Sequence, residues 1–331
     1  MLYRVFDLIV HSNIPLPDYE QIPAGAPTLW VTRRSGALPV PPDLVWTDVW
    51  GDLWSDVGTT TPRQPVWRFA WHGPDLLLVI PKCGGFRFEN GFRSIICHPY
   101  SSTDRRLAVD LSHSILPRVL VEWGHLVVHA SCVTIEGGRS VVFVGPSGAG
   151  KSTLAASFAV DGGQLVSDDC VLLKNAGGRL IAHAAGVETR LWDDSLCTLF
   201  GEAHAAQLVS KKPTASKWSV RLGPDTSLPR SVPVDAIFAL SAREPHTDGD
   251  DVEIAEESGA RLLSLLTDFT LLFDPIGRRN RSRRFVGASE VADACPAFYS
   301  LSYPRQYSRL PEVRRAIVAK ALESRHASMD R

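Results

Sequence analysis

The chain has 331 residues, 44% of them hydrophobic and 21% charged, with a formal net charge of −1. That composition excludes global disorder and is enough for two ordinary domains or one large domain with an extension. A near-neutral chain also gives no electrostatic case for nucleic acid or a membrane surface as partner.

The N-terminal run MLYRVFDLIVHSNIPLP is apolar but interrupted by Asp7 and His11. It lacks a basic leading region and a small-residue cleavage site, so it is not read as a signal peptide. No run of 18 apolar residues occurs, so no transmembrane helix is expected. The six cysteines (83, 97, 132, 170, 197 and 295) include no C-x-x-C pair. Free thiols in a reducing cytoplasm are expected, rather than disulfides or a zinc site.

In the first third, VWRFAW (66–71), LLLVIP (76–81), GFRFENG (85–91) and RSIICH (93–98) are strand-sized and separated by turn signals. They predict an antiparallel meander. Trp46, Trp50 and Trp54 recur every four residues, which predicts one face of a helix anchored on that meander. Residues 104–124 look helical, with Pro117 as a kink or break. The segment from Leu126 to Gly145 predicts two strands joined by a Gly-Gly turn, the second running into a glycine-rich loop, and KSTLAASFAV then opens a helix. Further on, VDAIFAL (234–240) predicts a buried strand and residues 259–273 a helix. PAFYSLSYPR (296–305) predicts one more strand and LPEVRRAIVAKALESR a closing amphipathic helix.

The loop GPSGAGKST comprises Gly145, Pro146, Ser147, Gly148, Ala149, Gly150, Lys151, Ser152 and Thr153. It matches G-x-x-x-x-G-K-S/T between a strand and a helix, the context the phosphate-binding motif requires. Its glycines let backbone N–H groups approach phosphate oxygens, and the helix directs its positive end at the same anion. Lys151 is expected on the β- and γ-phosphates and the Ser152 hydroxyl on Mg²⁺, so ATP and Mg²⁺ are the expected cofactors.

The carboxylate that completes such a site has two candidates. Asp274 ends TLLFD, but inside the helical pattern. Asp168 and Asp169 follow Lys151 by 17 and 18 residues, after one helix and one short strand. In an extended segment they point to opposite sides, so one can face Mg²⁺ and the other an acceptor hydroxyl; a solvated turn is the alternative. Antiparallel pairing through the EGG turn can bring His129 to the same end of the sheet. RRNRSRR (278–284) has five arginines in seven residues. A solvated loop, a nucleic-acid patch and a site for phosphate or an acidic peptide remain open for it. Arg190, Lys211, Lys212 and Lys217 are further candidates for phosphate or substrate contacts.

The run from His129 to Leu173, with its histidine, strand pair, glycine-rich loop and SDD segment, resembles the kinase core of the HPr kinase/phosphorylase family. It is closer still to the HPr kinase-like proteins encoded with lasso-peptide and related peptide pathways. Those also resemble this chain in FDLIVHSNIPLPDY near the start, GVETRLWDDSL (186–196) and YSLSYPR (299–305). The resemblance implies an α/β fold, with a β-rich domain at 1–104 and an HPr kinase-like P-loop kinase domain at 105–331. It implies ATP- and Mg²⁺-dependent phosphorylation of a hydroxyl, serine above all, on a peptide or small protein in peptide natural-product tailoring. It implies that Asp168 is the acid/base, that Asp169 is the paired carboxylate near the metal, and that His129 is the active-site histidine. Lys151 and Ser152 take the nucleotide and Mg²⁺. The arginine-containing signature of the classical HPr kinases is not found after the core, so HPr as acceptor and the reverse phosphorylase activity do not carry over. A kinase for free serine and a nucleotide-gated peptide-binding adaptor without phosphotransfer are the alternatives. The partners expected are thus a peptide or small-protein acceptor, without nucleic acid or membrane, and a homo-oligomer is compatible with all of these.

Overall fold

The computed structural model describes residues 1–17, 19–50, 65–100, 104–184, 188–202, 205, 209–214, 217–222, 231–241, 251–275 and 281–323. The chain is mixed α/β and divides into two compact units, Met1–Trp123 with Leu272–Arg279, and Gly124–Leu271 with Asn280–Arg331.

The first unit is built on nine strands: β1 (Leu2–Val5), β2 (Leu8–Ser12), β3 (Glu20–Ile22), β4 (Leu29–Arg33), β5 (Thr47–Val49), β6 (Trp67–His72), β7 (Asp75–Ile80), β8 (Gly84–Glu89) and β9 (Ser94–Pro99). They form one sheet in the order β3-β1-β2-β4-β9-β8-β7-β6-β5. The meander read from the sequence is β6 to β9, all antiparallel. The parallel pairs β2–β4 and β4–β9 then splice the N-terminal strands onto it.

The helix expected over the recurring tryptophans is not formed. Thr47–Val49 is a strand paired with β6, as its β-branched residues favour, while Trp54 lies outside the described residues. Trp46 instead carries the Arg68 guanidinium at 5.1 Å.

The helical segment expected to belong to the second domain packs by compactness with this unit. It consists of α1 (Asp104–Asp110), a π-helical turn (Leu111–Ile115) and α2 (Leu116–Glu122). Pro117 does not break it. The Leu116 N–H reaches back five residues to the Leu111 carbonyl, and this wider turn accommodates the proline at the start of α2.

The second unit contains a six-stranded sheet in the order β13-β11-β12-β20-β22-β21. Its strands are β11 (Ala130–Ile135), β12 (Arg139–Val144), β13 (Gln164–Ser167), β20 (Ala236–Leu240), β21 (Glu253–Glu256) and β22 (Phe298–Ser302). Strands β12, β20 and β22 run parallel, and the other pairs are antiparallel. Alternation along β12 sends Val141 and Phe143 into one core and Val142 and Val144 into the other. The sheet is therefore buried on both faces, which accounts for the unbroken apolar run VVFV (141–144).

A second sheet of four strands, β10-β14-β15-β19, uses β10 (Leu126–Val128), β14 (Val171–Ala176), β15 (Arg179–Ala184) and β19 (Ser231–Pro233). A third joins β16 (Glu188–Trp192), β18 (Lys217–Arg221) and β17 (Val209–Thr214). The described helices include α3 (Lys151–Val160), α4 (Asp193–Phe200), α5 (Gly259–Asp268), α6 (Arg281–Ala294) and α7 (Leu310–Glu323).

Two sequence expectations change here. The stretch before the Gly-Gly turn is two strands in two different sheets, with the break at His129. The helix expected over 259–273 ends at Asp268, because Thr270 bridges to Val128 and the Leu271 N–H donates to the Val127 carbonyl. Asp274 is thus not helical, and it belongs to the first unit. All six cysteines are free thiols. Among the described residues, no helix is long and apolar enough to cross a membrane.

Candidate functional site

Two chain crossings create the site. Between β10 and β11 the backbone passes from the four-stranded to the six-stranded sheet at His129. Between β13 and β14 it passes back at Asp168–Asp169. The β11–β12 register sets Ala130 opposite Val144, so His129 falls level with Gly145, where the glycine-rich loop begins. The His129 Nδ1 stands 3.0 Å from the Asp169 carbonyl oxygen. A carbonyl can only accept, so Nδ1 carries the hydrogen and Nε2 the lone pair of a neutral ring. Burial first, then the Lys151 charge, hold His129 below its usual value, against the pull of Asp169 and Asp168.

The second crossing is a tight turn. The Cys170 N–H donates to the Asp168 carbonyl at 2.8 Å, with Asp169 at φ 64°. This is a γ-turn of the rare positive-φ kind, strained for a residue with a Cβ, and such strain clusters at functional sites. The turn separates the two carboxylates. Asp168 is 3% exposed and sits in a cage of donors. Its Oδ1 accepts from the Ser131 hydroxyl at 2.5 Å and the Ser152 hydroxyl at 3.1 Å. Its Oδ2 accepts from the Thr189 hydroxyl at 2.5 Å and, weakly, from the Arg190 N–H at 3.5 Å. Asp169 is only partly buried, and its Oδ2 stands 3.9 Å from Arg190 Nε. The sequence paired Ser152 with Asp169 as the metal-side residues; in the structure Ser152 meets Asp168.

The loop itself joins β12 to α3. Gly145 (φ 154°) is buried, and a Cβ there would stand 2.7 Å from the Leu240 carbonyl oxygen, so only glycine fits. Pro146, Ser147 and Gly148 are exposed. Gly150 (φ 87°) is the N-cap of α3 and supplies no side-chain cap, which leaves the first-turn N–H groups of Lys151, Ser152 and Thr153 without one. A Cβ on Gly148 would meet nothing within 4 Å, so this side of the loop is open. Lys151, 5% exposed, folds back over the loop and donates to the Gly145 and Pro146 carbonyls at 2.8 and 3.0 Å. Burial pushes its ammonium down from 10.5 to about 8; the charges of Asp168 and Asp169 oppose that shift, and Lys217 adds to it. Lys217 lies 5.2 Å from the Trp192 ring centroid on the adjoining three-stranded sheet.

These features fit the expected ligands. Uncapped N–H groups at a helix N-terminus beside a buried ammonium suit a phosphate chain. A serine hydroxyl and a carboxylate oxygen 3.1 Å apart are the hard oxygen donors that Mg²⁺ prefers, with waters completing its shell. Among the described residues, no group of three or more His, Cys, Asp and Glu side chains could hold a metal by itself. Such a group is not needed where a phosphate chain supplies further oxygens.

No family model matches the chain, and no curated protein does. Among solved structures, the HPr(Ser) kinase/phosphatase from Coxiella burnetii is similar over 62% of this chain and 95% of that one, at 15% identity. Its TM-score is 0.33, and a likeness at that level carries no weight for fold or function.

The structure thus brings together the loop, Lys151, Ser152, Asp168, Asp169, His129 and Arg190. Asp274 belongs to the other compact unit. Of the basic segment, Arg281, Arg283 and Arg284 open α6, while 278–280 lie outside the described residues, as do the side chains of Lys211 and Lys212. The sequence reading missed Ser131 and Thr189. A lone hydroxyl carries no motif, although Ser131 stands two residues after His129 and Thr189 immediately precedes Arg190.

Proposed function

We propose that this protein is an ATP- and Mg²⁺-dependent phosphotransferase with an HPr kinase-like P-loop core. It passes the γ-phosphoryl group to a hydroxyl, serine above all, of a peptide or small protein. The observation that carries this reading is the junction of the Ser152 hydroxyl with Asp168, next to a strained turn that sets a second carboxylate apart. A nucleotidase needs one metal-side acid; a kinase needs another group for the acceptor proton. The sequence resemblance to peptide-pathway kinases supports the acceptor class.

The geometry favours exchanging the two aspartate roles expected from the sequence. Both oxygens of Asp168 are engaged by donors, which hold it as a fixed charge beside Ser152; this suits the metal side. Asp169 is partly exposed and braced through its own carbonyl by His129, so its carboxylate suits the acceptor hydroxyl, whose proton it takes. Lys151 leaves the loop carbonyls to neutralise phosphate charge. Arg190, beside Asp169, orients that carboxylate. ATP would supply the phosphoryl group, and Ser152 and Asp168 would hold Mg²⁺, whose positive charge would offset that of the phosphates.

The test is incubation with γ-labelled ATP and serine-containing peptides or free serine. Acceptor-dependent label on a peptide is expected. Label on free serine alone moves the acceptor to a small molecule, and nucleotide binding without any label leaves a nucleotide-gated adaptor.

A further inference from the structure

The motif YSLSYPR has its last three residues outside any strand, immediately after β22. The chain there runs along the glycine-rich loop before entering α7. The Tyr303 hydroxyl lies 3.4 Å from where a Cβ on Gly150 would stand. Arg305 donates from Nη1 to the Gly148 carbonyl at 2.7 Å and from Nη2 to the Ser241 carbonyl at 3.4 Å. Ser241 directly follows β20, the strand paired in parallel with the one that feeds the loop. The guanidinium therefore bridges the loop to the C-terminal end of β20. Two residues later, the Tyr307 hydroxyl donates to Asp194 Oδ2 at 2.9 Å and meets the Ser195 hydroxyl at 2.9 Å. Ser195, 2% exposed, in turn meets the Thr153 hydroxyl of α3 at 3.1 Å.

We propose that residues 303–307 form a strap that pre-organises the phosphate loop, with Arg305 as its positioning residue. The inference rests on the phosphate-cradle reading above. The loop has three glycines at positive φ, and such a segment loses much conformational freedom when it closes on a ligand. An arginine fork holding the Gly148 carbonyl removes part of that freedom before the ligand arrives, and pre-organisation of this kind appears as affinity. The carbonyls of Gly148 and Ser241 need two donors with a fixed spread, which a guanidinium offers and an ammonium does not. Gly148 presents its carbonyl to Arg305, and the uncapped first turn of α3 stays available for phosphate. The strap thus acts on ligand binding and not on the reacting atoms.

The test compares the full-length protein with Arg305→Ala and Arg305→Lys, by steady-state kinetics and by amide hydrogen exchange without nucleotide. In Arg305→Ala, KM for ATP rises about tenfold, as expected for a lost hydrogen bond from a charged donor. The acceptor KM and the kcat at saturating ATP stay within about threefold. Exchange at 147–150 quickens about tenfold, while β11 and β12 are unchanged. Arg305→Lys recovers only part of the affinity. Unchanged exchange and unchanged KM overturn the proposal, as does a fall in kcat at constant KM. Full recovery by lysine overturns the bridging role. Should the parent protein bind no ATP, the phosphate-cradle reading fails by itself, and the exchange comparison still decides whether the strap orders the loop.

Discussion

Raising the pH from 7 to 9 should weaken ATP binding about tenfold through Lys151 alone. Its ammonium is pushed down to about 8 by burial in the ligand-free loop. A phosphate chain in contact restores the charged form, toward the ordinary 10.5. At pH 9 about nine-tenths of the ligand-free molecules have lost the proton that the complex requires, which gives the tenfold loss and an uptake of about 0.9 proton per nucleotide. Above both values the loss would approach about 300-fold, or about 3 kcal/mol at 1.36 kcal/mol per unit.

The same shift has a sign for folding. Between about pH 8 and 10.5 the native state binds fewer protons than the unfolded chain, so this residue's contribution to stability rises with pH across that window. Below about pH 8 the cost of charging Lys151 is fully present. The assay is titration calorimetry with ATP at pH 7 and 9, in pairs of buffers with different ionisation enthalpies. Lys151→Arg, which stays charged throughout, should flatten the profile and abolish the uptake. Affinity that is level to pH 9 without proton uptake would refute a buried ammonium facing the phosphates.

Two further outcomes follow from the same geometry. Gly145→Ala places a Cβ against the Leu240 carbonyl; it should lower stability by about 1–3 kcal/mol in denaturant titration and remove ATP binding, and a neutral effect would mean that the loop does not hold this conformation. Thr189→Val and Ser131→Ala each remove a hydroxyl donor from buried Asp168; each should cost about 1–3 kcal/mol, with marked non-additivity against Asp168→Asn in a double-mutant cycle.

The glycine-rich loop was legible because three levels agree on it: an apolar strand, a spacing that only glycine satisfies, and a helix start. The approach of His129 to the Asp pair was legible too, since a two-strand register through a tight turn is simple arithmetic. What the sequence hid was the change of sheet at both places. Leu126–Val128 and Ala130–Ile135 look like one strand because both are buried on both faces, and no residue pattern marks the step between them. The positive φ of Asp169 was equally hidden, since aspartate, unlike glycine, does not advertise it. Trp46 and Trp50 misled because a spacing of four shares one face in a strand as well as in a helix. Thr270 ended α5 early by pairing with Val128, a tertiary choice that the apolar residues beyond Asp268 do not reveal. Arg305 was part of a noted motif, but its bond to Gly148 joins positions 157 residues apart.

The most direct test of the central claim is single-turnover transfer from γ-labelled ATP by the parent protein, Asp169→Asn and Asp168→Asn, alongside nucleotide titration over a range of Mg²⁺ concentrations. With Asp169 as the acceptor-facing base, Asp169→Asn should keep ATP affinity within a few-fold and lose about 10²–10⁴ in transfer rate, the usual range for a positioned acid or base. Asp168→Asn should instead weaken Mg²⁺-dependent nucleotide binding, with part of the transfer recovered at high Mg²⁺. Near-normal transfer by Asp169→Asn, or a defect confined to ATP binding, would contradict the account.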